Sequence, residues 1–423
     1  MTRYWVNNCS SAVASRSSCG RDRLLGTGLA VVLGAGVLTG AAATSANAIT
    51  GPIDLLTQAN ITINGAAAND RSGWFVAGAG DVNNDGFDDV IIGAPRADNN
   101  ALTDSGSAYV VYGSATPTTP VDLANLGSAG FRIDGAATSD QSGLSVAGAG
   151  DVNNDGFADV IVGAPYADNN SRSNSGSSYV VYGSATPTTP VDLGNLGSAG
   201  FRIDGAAGDF SGWSVAGARD VNNDGFADVI VGAPYADNNS RSNSGSSYVV
   251  YGSATPTTPV DLGNLGSAGF RIDGAAGDFS GWSVAGARDV NNDGFADVIV
   301  GAPYADSNSR SNSGSSYVVY GSATPTTPVD LNNLGSAGFR IDGAAGDYSG
   351  FSVAGAGDVN NDGGADVIIG APSAGNNSRS KSGSSYVVYG EAPAPTPPTP
   401  PTPTPPPPPP APPAGVGARK KKE

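Results

Sequence analysis

Residues 151–159 read Asp-Val-Asn-Asn-Asp-Gly-Phe-Ala-Asp, which sets three carboxylates and one amide oxygen at positions 1, 3, 5 and 9. A hard cation such as calcium takes several oxygen ligands at once from a flexible loop. Position 7 can add its backbone carbonyl, and Gly156 permits a sharp turn. Without a cation, carboxylates crowded this closely would repel one another. The stretch recurs five times, beginning at Asp81, Asp151, Asp220, Asp289 and Asp358, at spacings of 70, 69, 69 and 69 residues. The candidate ligands are Asp81, Asn83, Asp85, Phe87 and Asp89; Asp151, Asn153, Asp155, Phe157 and Asp159; Asp220, Asn222, Asp224, Phe226 and Asp228; Asp289, Asn291, Asp293, Phe295 and Asp297; and Asp358, Asn360, Asp362, Gly364 and Asp366. The expectation is about one Ca2+ per repeat, five in all. The alternative is an Asp/Asn-rich hairpin without metal, which five copies in register disfavour. An EF-hand needs a bidentate glutamate at position 12, where Ile92, Val162, Val231, Val300 and Ile369 stand instead.

Other chemistries are narrowed by what the chain lacks. Histidine is absent, which removes Ser-His-Asp and Cys-His catalysis and the usual zinc sites. The two cysteines, Cys9 and Cys19, precede the repeats, so the repeats hold no thiol nucleophile or disulfide. The formal charge is −17. Such a field disfavours nucleic acid and anionic membranes and favours cations. Outside the Asp loops no distinctive carboxylate pair stands out, so an enzyme is not expected. A glycosidase or lyase using two acids is the lesser alternative.

The elements that must position these loops are short strands. Between residues 49 and 390 every acidic residue is aspartate, which favours turns, and there are 62 glycines in the chain. Each repeat predicts four strands, exemplified by Ser145 to Ala149, Ala158 to Gly163, Ser178 to Tyr182 and Phe201 to Asp204. The run Val160-Ile161-Val162 suits a strand covered on both faces. The alternation of Phe201 and Ile203 with Arg202 and Asp204 suits a half-exposed edge. The fold class is therefore all-β, a β-propeller of five four-stranded blades over residues 49–391. A fourth-type strand, Ile61-Thr62-Ile63, precedes the first repeat, and the last repeat ends after Tyr386 to Tyr389 without its own. The N-terminal strand is thus expected to complete the last blade and close the ring; an open solenoid is the alternative.

Residues 1–48 read as a signal peptide, with Arg16, Arg21 and Arg23, then the apolar run Leu24 to Leu38, then Ala46-Asn47-Ala48. Cleavage after Ala48 would remove four arginines and one aspartate, taking the charge to −20. An uncleaved anchor is the alternative, although the run is glycine-diluted and short for a spanning helix. Residues 392–414 form a Pro-rich linker, and residues 415–423 a short basic tail.

The order Ser-Val-Ala-Gly-Ala, Asp-Val-Asn-Asn-Asp-Gly, Ala-Asp-Val-Ile-Val-Gly-Ala-Pro, then Tyr-Val-Val-Tyr-Gly resembles the FG-GAP repeats of integrin α-subunit propellers and their bacterial relatives, over about residues 60–390. The resemblance implies calcium in the loop between the first and second strands, on one face of the ring, with partners docking on the opposite face. Two departures stand out: Ser142-Gly143 and Ser211-Gly212 replace the family's Phe-Gly, and five repeats replace the common seven.

On that opposite face the sequence places Tyr166, Tyr235 and Tyr304, together with Arg172, Arg241, Arg310 and Arg379, as ligand-face candidates. Trp74, Trp213 and Trp282 fall near the same end and read more readily as blade packing. The leading expectation is a secreted or cell-surface, non-enzymatic adhesion module that binds an extracellular protein or glycan, without a transmembrane segment in the mature chain. A multivalent lectin-like propeller is the second reading.

Overall fold

A computed structural model describes residues 52–393 except Thr188 and Thr326. The expected signal peptide, and all but the first residues of the Pro-rich linker and tail, lie outside the described residues. The chain divides into Met1–Leu55, of which only residues 52–55 are described, and Leu56–Glu423, which carries every strand among the described residues. Among the described residues no helix is long and apolar enough to cross a membrane.

Each repeat folds as an antiparallel sheet. In the second, the inner strand Ser145–Gly150 pairs with Asp159–Ala164, which pairs with Ser177–Val181, which pairs with the outer strand Gly200–Asp204. The inner strand is poor in side-chain volume because inner strands of successive repeats lie side by side. There the Val215, Val284 and Val353 amides each donate to the serine hydroxyl one blade back (Ser145, Ser214 and Ser283) at 3.0, 3.1 and 3.1 Å. A Cβ added at Gly217 would sit 2.7 Å from the Gly148 carbonyl oxygen, so this contact requires glycine.

The second strand is covered on both faces, as its apolar run implies. Val160 and Val162 pack back against Ile91, Val110 and Phe131 of the first blade. Ile161 points the other way, with Val180, Phe201 and Ile203, against Val215, Val229 and Val231 of the third. Full burial of each such side chain stabilises the fold by about 1.5–3 kcal/mol.

Two expectations about the outer strands need correction. The outer strand is not a half-exposed, charge-blunted edge. Phe201, Ile203 and Asp204 are buried, and Asp204 accepts from Ser177 Oγ at 2.8 Å and Asn170 Nδ2 at 3.0 Å, with Arg202 Nε 2.8 Å away. Its far edge is taken by a two-residue parallel strand of the following repeat, Val260–Asp261, in the register Ile203↔Val260.

The second correction concerns closure. The N-terminal strand, Ile63–Asn64, pairs parallel with Val121–Asp122 beside the first blade and not with the last. The fifth blade, Ser352–Gly357, Asp366–Ala371 and Ser384–Val388, has three strands among the described residues. Matching end segments identify which strand could complete a blade; the rotation from each blade to the next decides whether the ends meet. Here they do not: Val76 at the head is 64% exposed and Val387 at the tail 43%, whereas the corresponding Val146 and Val318 are buried.

The corner where serine replaces phenylalanine closes by backbone approach. Ser211 is buried, its amide donates to the Ser175 carbonyl at 3.0 Å, and a Cβ at Gly176 would lie 2.1 Å from the Ser211 oxygen.

Candidate functional site

The Asp loops join inner to second strands, so all lie at one end of the sheets. In the second repeat, Asp151 Oδ1 and Oδ2 accept from the amides of Asp155 and Gly156 at 3.0 and 2.9 Å. Asn153 Oδ1 accepts from the Asp155 amide at 3.1 Å, and Asn153 Nδ2 donates to Asp155 Oδ2 at 2.8 Å. Asn154 (φ 58°) and Gly156 (φ 93°) take the left-handed backbone that the turn requires. Asp159 faces inward: Oδ2 accepts from the Val152 amide and Oδ1 from Gly183, both at 2.8 Å. It thereby ties the loop to the end of the third strand, and Asp89, Asp228, Asp297 and Asp366 repeat the bond to the loop amide.

Burial pushes the Asp159 carboxyl up to about 7, against its two amide donors, and the charges of Asp155 and Asp151 add to the rise. Asp228 and Asp297 behave alike. The donor set is all oxygen, which suits a hard cation. Among the described residues, however, no three acidic side chains are gathered as a metal cage. Positions 1 and 5 cap the turn while position 9 serves strand amides.

At the other end of the sheets lie the loops between second and third strands and those leaving the outer strands. Tyr166, Tyr235 and Tyr304 are joined there into one aromatic run by further rings. Phe210 lies between Tyr166 and Tyr235 (ring centroids 5.5 and 5.0 Å), and Phe279 between Tyr235 and Tyr304 (5.4 and 5.1 Å). Tyr348 follows at 5.4 Å from Tyr304. Phe210, Phe279 and Tyr348 are left-handed at φ 52°, 52° and 54°, an uncommon state for bulky residues. Their recurrence beside Asp209, Asp278 and Asp347 was the available signal.

The tryptophans belong to this face. Trp213 lies 5.9 Å from Tyr235 and 5.2 Å from Trp282, which lies 5.7 Å from Phe351. Trp74, Trp213, Trp282 and Phe351, with Leu144 from the second repeat, surround a cavity of about 610 Å3 at the upper end of the inner strands.

The arginines are not gathered with the tyrosines. Arg172 forms a two-pronged ion pair with Asp261 at 2.9 and 2.8 Å and donates to the Gly205 carbonyl; Arg241 pairs with Asp330 at 3.0 Å. Both clamp the parallel Val-Asp strand onto the edge of their blade. Arg310 reaches the Ser307 carbonyl at 3.4 Å, and the Arg379 amide donates to the Asn376 carbonyl at 2.8 Å.

Beneath the aromatic run, burial pushes Asp209 up to about 7, helped by Asp237 and opposed by Arg271. A raised folded pKa means that the ionised form is disfavoured. Stability from this group is whole below the unfolded value of about 3.9 and declines as pH rises to about 7. Asp209→Asn should therefore raise the melting temperature at pH 8 and leave it unchanged near pH 3.5, as scanning calorimetry at both values would read.

The FG-GAP repeat family matches residues 72–111, 142–181, 211–250, 280–319 and 349–388. The chain is an FG-GAP repeat protein. Each match opens at the Ser-Gly corner and closes with the third strand, so the family unit coincides with the blade minus its outer strand. Integrin alpha pat-2 of Caenorhabditis elegans is 32% identical over 259 residues, covering 55% of this chain and 18% of that protein. Phosphatidylinositol-glycan-specific phospholipase D of Rattus norvegicus is 32% identical over 168 residues, covering 39% and 19%. Integrin alpha-6 of Gallus gallus is 29% identical over 157 residues, covering 36% and 12%. The chain thus spans less than a fifth of the length of these relatives, and the repeats are what they share with it.

Proposed function

We propose that this FG-GAP protein is an exported, calcium-loaded, non-enzymatic module that binds an extracellular ligand through its aromatic face. The observation that carries the reading is the uninterrupted run from Tyr166 to Tyr348, lined on its inner side by Trp213, Trp282 and Phe351. Half-buried aromatic rings offer large, stiff contact area at low entropic cost. Placing three of the rings on left-handed backbone sacrifices stability for exposure, a trade found at functional surfaces.

At the opposite end, calcium would be held by Asp151, Asn153, Asp155, the Phe157 carbonyl and Asp159, and by the same positions in the other repeats, one ion per loop and five in all. The ion would supply positive charge where carboxylates crowd. The chain's own part is to fix the turn through Gly156 and to hold Asp159 against two strand amides. Stiff blades then present the aromatic face with little ordering cost on binding. Export after cleavage near Ala48 would place the loops where calcium is plentiful. The similarity to integrin α-subunits supports binding over turnover, and the similarity to a phospholipase D keeps an enzymatic context in view.

Aromatic rings also stack on sugars, so a lectin-like mode is the second reading. A glycan array and a panel of extracellular-matrix proteins, probed with the full chain with and without calcium, distinguish the two. Tyr235→Ala and Trp282→Ala should each weaken capture at least tenfold while leaving the melting temperature within a few degrees. Undiminished capture by both variants would sink the aromatic-face assignment.

A further inference from the structure

The two ends of the blade run are complementary. At the head, Ile63–Asn64 pairs with Val121–Asp122 in the register Ile63↔Val121 and Asn64↔Asp122. The outer strands of the first three blades pair with the next repeat in the same way, as in Ile133↔Val191 and Asp134↔Asp192. The N-terminal strand therefore stands as the outer strand of a blade whose other three strands are not beside it. At the tail, the fifth blade has those three strands and, among the described residues, no outer strand.

The apolar faces match in the same sense. At the tail, Val387 is 43% and Val359 55% exposed, whereas their counterparts Val318 and Val221 are fully buried by the following blade or outer strand. At the head, Val76 and Val90 are 64% and 40% exposed, whereas Val146 and Val160 are buried by the preceding blade. The tail lacks what the head carries, and four such interfaces already exist inside the chain.

We infer that the fifth blade of one chain takes the N-terminal strand and first-blade face of a second copy, giving head-to-tail association. Transposing the fourth blade's register, Ser315↔Asp342, Ser316↔Ile341, Tyr317↔Arg340 and Val318↔Phe339, sets Ser384 against Asn64, Ser385 against Ile63, Tyr386 against Thr62 and Val387 against Ile61. Ile61 and Ile63 then occupy the places of Phe339 and Ile341, over the fifth blade's open face. The pairing starts at Ile61: the preceding position is glycine in the other outer strands, where a Cβ at Gly338 would meet the Val318 oxygen at 1.9 Å, and Asn60 stands there at the head. The charged Arg340–Asp342 pair becomes Thr62 and Asn64, so the incoming strand brings no charge to desolvate.

A second copy is the occupant because three of the four internal steps repeat the same inner-strand bond, from Val215 to Ser145, Val284 to Ser214 and Val353 to Ser283, and the fifth blade carries the matching serine, Ser352. Five repeats of that step do not bring the tail back to the head. A heterologous contact of this kind builds a larger ring or an open run, according to the rotation per copy. Strand addition of this type is a known recognition mode.

The test uses the full chain with Cys9→Ser and Cys19→Ser, which leaves no cysteine. Thr62→Cys and Tyr386→Cys, both at exposed positions, are made separately and together. Under mild oxidation the mixture of single variants should give disulfide dimers on a non-reducing gel, and the double variant a ladder of two or more chains. A double variant that oxidises within one chain, a mixture that stays uncrosslinked, or single variants that dimerise equally well alone would each overturn the inference. Sedimentation velocity adds an independent readout: mass should at least double with rising concentration, and Val387→Lys should hold the chain monomeric. A parent chain monomeric throughout, or a variant that associates equally, contradicts the proposal.

Discussion

Chelating calcium is expected to lower the melting temperature of the repeat unit markedly, with full recovery on adding calcium back. Ligand that binds only the folded state stabilises it by mass action, about 2.7 kcal/mol per site at a hundredfold excess over Kd. Several such loops make this the largest effect foreseen for the molecule. The expected direction with pH follows from the carboxylates. Asp159, Asp228 and Asp297, lifted to about 7 by burial first and by neighbouring aspartates second, give up their protons only as pH rises. Calcium binding, which needs the ionised form, should thus stabilise more at pH 8 than at pH 5. Differential scanning calorimetry with and without chelator at the two values measures this. A chelator effect larger at pH 5 would point to a site other than these loops.

Asp228→Ala should be the most damaging single change in a loop. Its oxygens accept from the Val221 amide at 2.8 Å and the Gly252 amide at 2.9 Å, both within the buried end of the blade. Alanine strands two buried donors, at about 1–3 kcal/mol each. Asp228→Asn keeps one acceptor, has no charge to bury and should cost less. Asp224 is exposed, and its carboxylate accepts only within its own turn, from the Phe226 amide and Asn222 Nδ2. Asp224→Ala should therefore cost little in chelator and lose one site's contribution in calcium. Chemical denaturation of the three variants, each with and without calcium, separates the strand-tying aspartate from the turn-capping one. Equal losses for Asp224→Ala and Asp228→Ala in chelator would contradict the division.

The blades were legible because repetition made them so. The unbroken apolar run Val160-Ile161-Val162 and the small residues at Ala147-Gly148-Ala149 report burial on both faces and close inner packing, and each recurs. What escaped was carried by few residues or by long reach. Val260–Asp261 is a strand of two residues, too short for any period, and Arg172 meets Asp261 across 89 positions. Arg172 and Arg241 serve this structural clamp, which recurrence in the sequence does not separate from ligand binding. Phe210, Phe279 and Tyr348 lie where left-handed backbone throws a bulky ring onto the face, a placement against ordinary preference. Closure is not legible in the sequence because complementary end segments do not encode the rotation between blades.

The reading as a whole stands on whether the Asp loops take up calcium. Equilibrium dialysis of the purified full chain against calcium, with metal counted by mass spectrometry, tests it most directly. The expected result is about one bound ion per FG-GAP repeat, five per chain, with one fewer after Asp224→Ala. A chain that retains no calcium at millimolar concentration would contradict it.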